Sequence, residues 1–219
     1  MKKYELTNET KLWFGRTLYR IRALVAFGDV EAGEMGGWIE TEKNLDQYGN
    51  AWVYGDAWVS GDARVSGNAC VYGNAWVYGD ARVSGNACVY GNARVYGDAW
   101  VYGDAWVSGD ARVSGNAWVY GDAWVSGDAR VSGNAEILKD THYLVIGAIG
   151  SRNDFTTFFR TKDKQIFVKC SCFHGCIDGF VKAVKETHGG TKHEKTYMLA
   201  VELAKEQIED VEYGGAEDA

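Results

Sequence analysis

The sequence predicts a parallel β-helix, a triangular solenoid of six-residue repeats running from about Ala51 to Ile137. Three observations predict it. A unit V-[YS]-G-[DN]-A-x recurs without insertion, with valine every six residues from Val53 to Val131 and Ile137 in the next slot. Each unit reads as a short strand followed by a corner. The chain contains no proline, which suits long uninterrupted ladders because proline cannot donate to them.

Within A-x-V-[YS] the side chains alternate as in a strand, so alanine and valine face inward and the variable residue and Tyr/Ser face outward. Gly-Asn or Gly-Asp then supplies the corner, since both types tolerate positive φ. Three units close one coil of 18 residues. Sorting the variable residue by every third unit supports that number. One face reads Trp52, Cys70, Cys88, Trp106, Trp124; the next reads Trp58, Trp76, Arg94, Arg112, Arg130; the third reads Arg64, Arg82, Trp100, Trp118, Glu136. Like stacks on like. The block GDAWVSGDARVSGNA recurs at 55, 103 and 121, so duplication contributes to this order. A glycine in every unit excludes a helical solenoid.

Residues 1–50 differ and read as an N-terminal cap with an irregular first coil. Leu18 to Leu24 alternates like a strand, and Gly36-Gly37-Trp38-Ile39 followed by Leu45 resembles a coil. The repeat occupies 51–138. Residues 139–219 read as a small α+β domain. Strands are expected over His142–Ile149, Phe155–Arg160 and Gln165–Cys172, and helices over Asp178–Thr187 and Glu194–Glu209. A Gly/Asp/Glu-rich tail is expected to fray.

The net charge of −7 argues against nucleic-acid binding, which needs a basic face. No run of 18 apolar residues predicts a membrane span. With no hydrophobic leader visible and five cysteines, a cytoplasmic, reduced protein is expected. Cys70 and Cys88 fall on successive coils, and a free-thiol ladder is expected there rather than a disulfide. Asp62, Asp80 and Asp98 stack at one corner and read as ordinary turn residues.

The opening YELTNETKLWFGRTLYRIRAL…FGDVEAGEMGGWIE, the G-[ND]-A-x-V repeats and the ending IGSRNDFTTFF…CFHG together resemble hexapeptide-repeat proteins of bacteriophages and prophages. These are often labelled polymer-forming or transferase-like. The resemblance covers essentially the whole chain. It implies a left-handed helix, and it implies side-by-side trimers, but it carries no activity onto particular residues.

Hexapeptide acyltransferases use a histidine base on a coil or loop. No histidine lies between Ala51 and Thr141, and no loop protrudes to hold an acyl donor. A non-enzymatic reading, without cofactor or metal, is therefore preferred, with acyltransferase and self-assembling structural protein as alternatives. Cys170, Cys172, His174 and Cys176 could meet at a metal, but the alternation Ile166, Val168, Cys170, Cys172 places the first two cysteines on a buried strand face.

Seven tryptophans and seven tyrosines occupy outward slots. Two groups, Trp58, Trp76, Tyr78, Tyr96 and Trp100, Tyr102, Trp118, Tyr120, are candidate interfaces for self-association, a trimer above all. In the C-terminal domain Ser151, Arg152, Asn153, Thr156 and Thr157 crowd a glycine-initiated turn. A guanidinium among hydroxyls and backbone N–H groups suits a phosphate or carboxylate. The expected partner is a host protein or a small anionic ligand such as a nucleotide.

Overall fold

The computed structural model describes residues 2–212. The tail expected at the C-terminus falls largely on residues 213–219, outside the described residues. Short strands run from β4 (Trp52–Val53) to β18 (Glu136–Ile137), one per six-residue unit. They stack into three parallel ladders with residues 18 apart in register, as Trp58↔Trp76, Arg64↔Arg82 and Cys70↔Cys88 show. About six coils form. The inward alanines and valines of these units are fully buried, from Ala51 and Val53 to Ala135 and Ile137. Each buried valine contributes roughly 1.5–3 kcal/mol. The corner glycines take positive φ, for example Gly85 at 71° and Gly103 at 74°. Backbone N–H groups donate to the next coil, as Asn68 N to Gly85 O at 2.8 Å and Trp76 N to Ala93 O at 2.9 Å. Two corners carry amide ladders, Asn68–Asn86–Asp104 and Asn74–Asn92–Asp110.

A parallel stack leaves one end with unused carbonyls and the other with unused N–H groups, so both ends need partners. The N-terminal segment supplies β1 (Tyr4–Trp13), β2 (Arg16–Ala23) and β3 (Met35–Ile39), and β3 pairs parallel with β5 (Trp58–Val59). At this end the Lys3 ammonium donates to Ala51 O at 2.9 Å, and the Tyr4 hydroxyl donates to Leu45 O at 2.7 Å and Glu42 O at 3.0 Å. The C-terminal unit closes the other end. Asp140 accepts from Trp124 N at 2.7 Å, the Tyr143 hydroxyl from Ser126 N at 3.2 Å and Thr157 Oγ1 from Arg130 N at 3.0 Å. The expectation of a cap at 1–50 therefore extends to both ends.

That unit is a four-stranded antiparallel sheet, β19 (Tyr143–Ile149), β20 (Asp154–Arg160), β21 (Ile166–Cys170) and β22 (Phe173–Cys176), in sequential order. Helices α1 (Ile177–His188) and α2 (Lys192–Gln207) cover its outer side. Strand β20 is buried on both faces. Phe159 joins the solenoid core, and Phe158 joins the core under the helices.

Two expectations about cysteine are corrected. Cys70 and Cys88 form a disulfide, because their rungs sit in register with Cα atoms 4.8 Å apart, inside the range a disulfide spans. Cys172 is exposed, not buried with Cys170. Strand β21 ends at Cys170, and Ser171 at φ 50° turns the chain, so the alternation breaks there.

Lys3 makes the N-terminal closure pH-dependent. It is 4% exposed, and burial pulls its pKa down to about 8, with Asp46 opposing. Between about 8 and the ordinary 10.5 the unfolded chain holds the extra proton, so stability rises with pH across that window. Tyr4, its phenol pushed upward mainly by burial, acts in the opposite sense above its ordinary 10. The expected result is a urea midpoint that climbs between pH 8 and 10 and no longer does so in Lys3→Met. An equal slope in both proteins would remove Lys3 as the cause.

Candidate functional site

The structure separates the residues named for the C-terminal turn. Ser151, Arg152 and Asn153 are exposed on the turn between β19 and β20. Gly150 and Asn153 take positive φ, at 74° and 50°. Thr156 and Thr157 do not reach it: both are fully buried. The Thr156 hydroxyl donates to Cys170 Sγ at 3.1 Å, and Thr157 Oγ1 is spent on Arg130 N. The cause is the double burial of β20, which sends alternate side chains to the helix side and to the solenoid end.

The turn forms one rim of a groove of about 350 Å³. Phe173, Phe180 and Tyr197 give it an apolar floor, and Ser171, Cys172 and His188 complete the rim. Phe180 packs edge-on to Tyr197 at 5.4 Å and tilted on Phe173 at 5.2 Å. Arg152 Nη1 donates to Ser171 Oγ at 2.9 Å, which holds the guanidinium at the mouth. Ser151 Oγ lies 3.5 Å from His188 Nε2. The Tyr197 phenol is pushed up to about 12, chiefly by burial and then by the neighbouring Cys170, while a backbone hydrogen bond from Ser151 and the Arg152 charge act the other way. Its hydroxyl stays protonated at neutral pH. Gly150 is required here, since a Cβ would overlap the Tyr197 ring. Residues missed in the sequence, notably Ser171, Phe180, His188 and Tyr197, come from three separate elements and share no spacing with the turn.

The cysteines and His174 scatter. Cys170 is buried, Cys172 opens on the groove, and His174 lies against Gly133 at the solenoid end. Among the described residues no three His, Cys, Asp or Glu side chains are placed to hold a metal ion. No helix among them is long and apolar enough to cross a membrane. The solenoid itself carries none of the four histidines.

The aromatic faces also divide. Trp58 is 6% exposed, covered by Leu18 and Trp38, with the Trp13 ring edge-on at 6.1 Å. Trp13 also meets Trp76 at 5.5 Å, and the Arg94 guanidinium lies 4.0 Å from the Trp76 ring. Trp58 and Trp76 are thus largely covered by the hairpin β1–β2, which corrects their reading as free interface. Tyr78 and Tyr96 stack at 4.9 Å beside them. On the third face Trp100 stacks on Trp118 at 5.6 Å and Tyr102 on Tyr120 at 4.9 Å. Lys162 covers Trp118 at 3.8 Å from its ring. Trp106 and Trp124, outside both predicted groups, are the most open of the tryptophans at 45% and 47%.

Residues 63–79, 87–103, 105–121 and 111–127 match a family described as the YdcK beta solenoid repeat. The four matches begin at positions that differ by multiples of six, so the match follows the same register as the valine ladder. No curated protein matches the chain.

Proposed function

We propose that this β-solenoid repeat protein is a non-enzymatic scaffold whose C-terminal unit binds a small anionic ligand in the groove beside Arg152. The observation that supports this reading is the groove itself, an aromatic floor with one guanidinium fixed at its mouth. Arg152 has no carboxylate in ion-pairing distance among the described residues, so four of its five N–H donors stay available. The pairing of apolar floor and single cation suits a carboxylate or phosphate on a planar or aliphatic body. Such a binder would act in a phage-infected cell, where sequestering a host ligand or protein would serve counter-defence; the sequence resemblance to phage and prophage proteins supports that setting. Self-association through the Trp100–Tyr102 ladder belongs to the same reading. It would multiply the grooves in one assembly.

Transfer observed by NMR from protein to benzoate and to adenosine monophosphate tests the proposal. Arg152→Ala is expected to weaken the bound fraction about tenfold, the loss of one charge-assisted contact. Bound ligand is also expected to slow alkylation of Cys172 at the rim. Equal binding by wild type and Arg152→Ala would remove the groove from consideration.

A further inference from the structure

A second group of cations stands on the solenoid, about four to five coils' length of chain before the C-terminal groove. Arg64 and Arg82 occupy directly opposed positions on adjacent rungs β6 (Arg64–Val65) and β9 (Arg82–Val83). Neighbouring strands lie about 4.8 Å apart, and like charges directly opposite destabilise a sheet. The other arginine ladder of the solenoid, Arg94–Arg112–Arg130, is relieved within the chain at its two ends, while Arg112 between them is exposed and has no ion-pair partner among the described residues. Arg130 is paired with Asp154, and Arg94 lies over Trp76. Arg64 and Arg82 are both exposed, and neither has an ion-pair partner among the described residues.

Their surroundings form a groove of about 610 Å³ between the N-terminal cap and this face. Lys43 adds a third cation to its lining. Two carboxylates share the groove: Glu42 is paired with Lys2 at 2.8 Å, and Asp46, held by Tyr48 N at 3.0 Å, keeps its charge in the lining. Trp100 holds Arg82 from the far side, with the guanidinium 5.0 Å from its ring. The opposite side of that indole is stacked on Trp118, so Trp100 acts as a fixed prop. Tyr48, 82% exposed, lines the open side. In a chain of net charge −7, three cations thus share one concavity with two carboxylates, one of them already paired with Lys2, and with an exposed aromatic ring at its edge.

We infer that the Arg64–Arg82 pair is a binding site for a ligand with two linked anionic groups, a diphosphate above all. Two forks one rung apart each accept one phosphoryl group in the planar, bidentate manner that arginine favours. The ligand anion replaces the missing carboxylates and removes the repulsion between the rungs. Tyr48, in the lining of the same groove, offers the exposed ring on which a planar base carried by the diphosphate would stack. The site is distinct from the groove at Arg152 and does not depend on it.

Calorimetric titration of the full chain with inorganic pyrophosphate and with adenosine diphosphate, in low salt, tests the inference. Both probes are expected to bind, and Arg64→Gln/Arg82→Gln is expected to weaken both by at least tenfold. Tyr48→Ala should weaken adenosine diphosphate several-fold and leave pyrophosphate unchanged. Arg152→Ala should leave the pyrophosphate titration unchanged, which separates this site from the one proposed above. Trp100→Ala, a change in a positioning residue, should weaken both probes, and Trp100→Phe should restore them. The arginine changes are on exposed side chains, and unaltered thermal unfolding would show the variant to be folded. Failure of both probes to bind wild type, or equal binding by the double variant, would overturn the inference.

Discussion

Gly85→Ala is expected to destabilise the protein by about 2–4 kcal/mol, while Gly127→Ala costs only about 1–2 kcal/mol. Both glycines sit at corners with positive φ, 71° and 64°, so an added methyl meets the same backbone preference in each. They differ in what lies beyond. A Cβ on Gly85 would stand 2.8 Å from Gly103 N and 2.9 Å from Gly103 O in the next coil. A Cβ on Gly127 meets nothing within 4 Å, because no further corner stacks on it. The backbone on both sides of the Gly85 contact is locked into the coil ladder and cannot give way cheaply. The difference between the two urea midpoints therefore measures how closely the coils approach. Repeat stability is a sum of unit and neighbour terms, so hydrogen exchange should rise first in the coils flanking residue 85. Equal losses for the two substitutions would show that glycine is needed here for its φ alone.

The solenoid was legible because its physics is local and repeated. Valine and alanine inward, a corner dipeptide and a like-on-like order at 18 residues each follow from a single unit. The caps were less legible. Strand β1 carries Thr7, Asn8, Glu9 and Thr10 through its middle and shows no clear alternation, since part of it lies over the solvent side. Its ion pairs, such as Glu9 with Arg20 at 3.2 Å, join residues that no spacing rule connects. So the covering of Trp58 by Trp13 could not be foreseen, and an intramolecular contact was read as an open face. Trp52, a nominally outward residue, is fully buried for the same reason, under Tyr4 and Phe27.

At the candidate site the turn was legible and the groove was not. Gly150-Ser151-Arg152-Asn153 announces a turn by composition, and the exposed residues are those of the turn proper. Thr156 and Thr157 were misplaced because strand burial depends on what lies on each side. Here the solenoid end and the helices enclose β20 together. His188 and Tyr197 reach the groove only through the packing of α1 against α2, which brings their rings within 5.9 Å. The Cys70–Cys88 pairing turned on compartment chemistry in the sequence reading and on register in the structure.

Arg160→Ala is expected to release the C-terminal closure of the solenoid and to cost about 3–5 kcal/mol, because it strands a nearly buried carboxylate. Arg160 is 8% exposed and joins the two parts of the molecule: its Nη1 donates to Glu136 on the last rung, and its Nε to Asp210 O at 3.0 Å. Beside it, Lys162 N donates to Asn134 O at 3.0 Å, and Thr161 bridges to Ala135. Loss of the guanidinium leaves the Glu136 carboxylate without its partner against Tyr120, whose hydroxyl donates to the other oxygen at 3.1 Å. The rung N–H groups of Trp124, Ser126 and Arg130 depend on side chains of the same unit, so loosening it exposes a row of donors. An open row of donors is a template for another chain's strand. The expected observation is faster proteolysis between 139 and 143, together with concentration-dependent association by light scattering. Glu136→Gln/Arg160→Met, which removes both charges, should restore most of the stability and the monodisperse state. If the single and double variants associate alike, the ion pair does not hold the closure, and the side-chain caps at Asp140, Tyr143 and Thr157 suffice to keep the end shut.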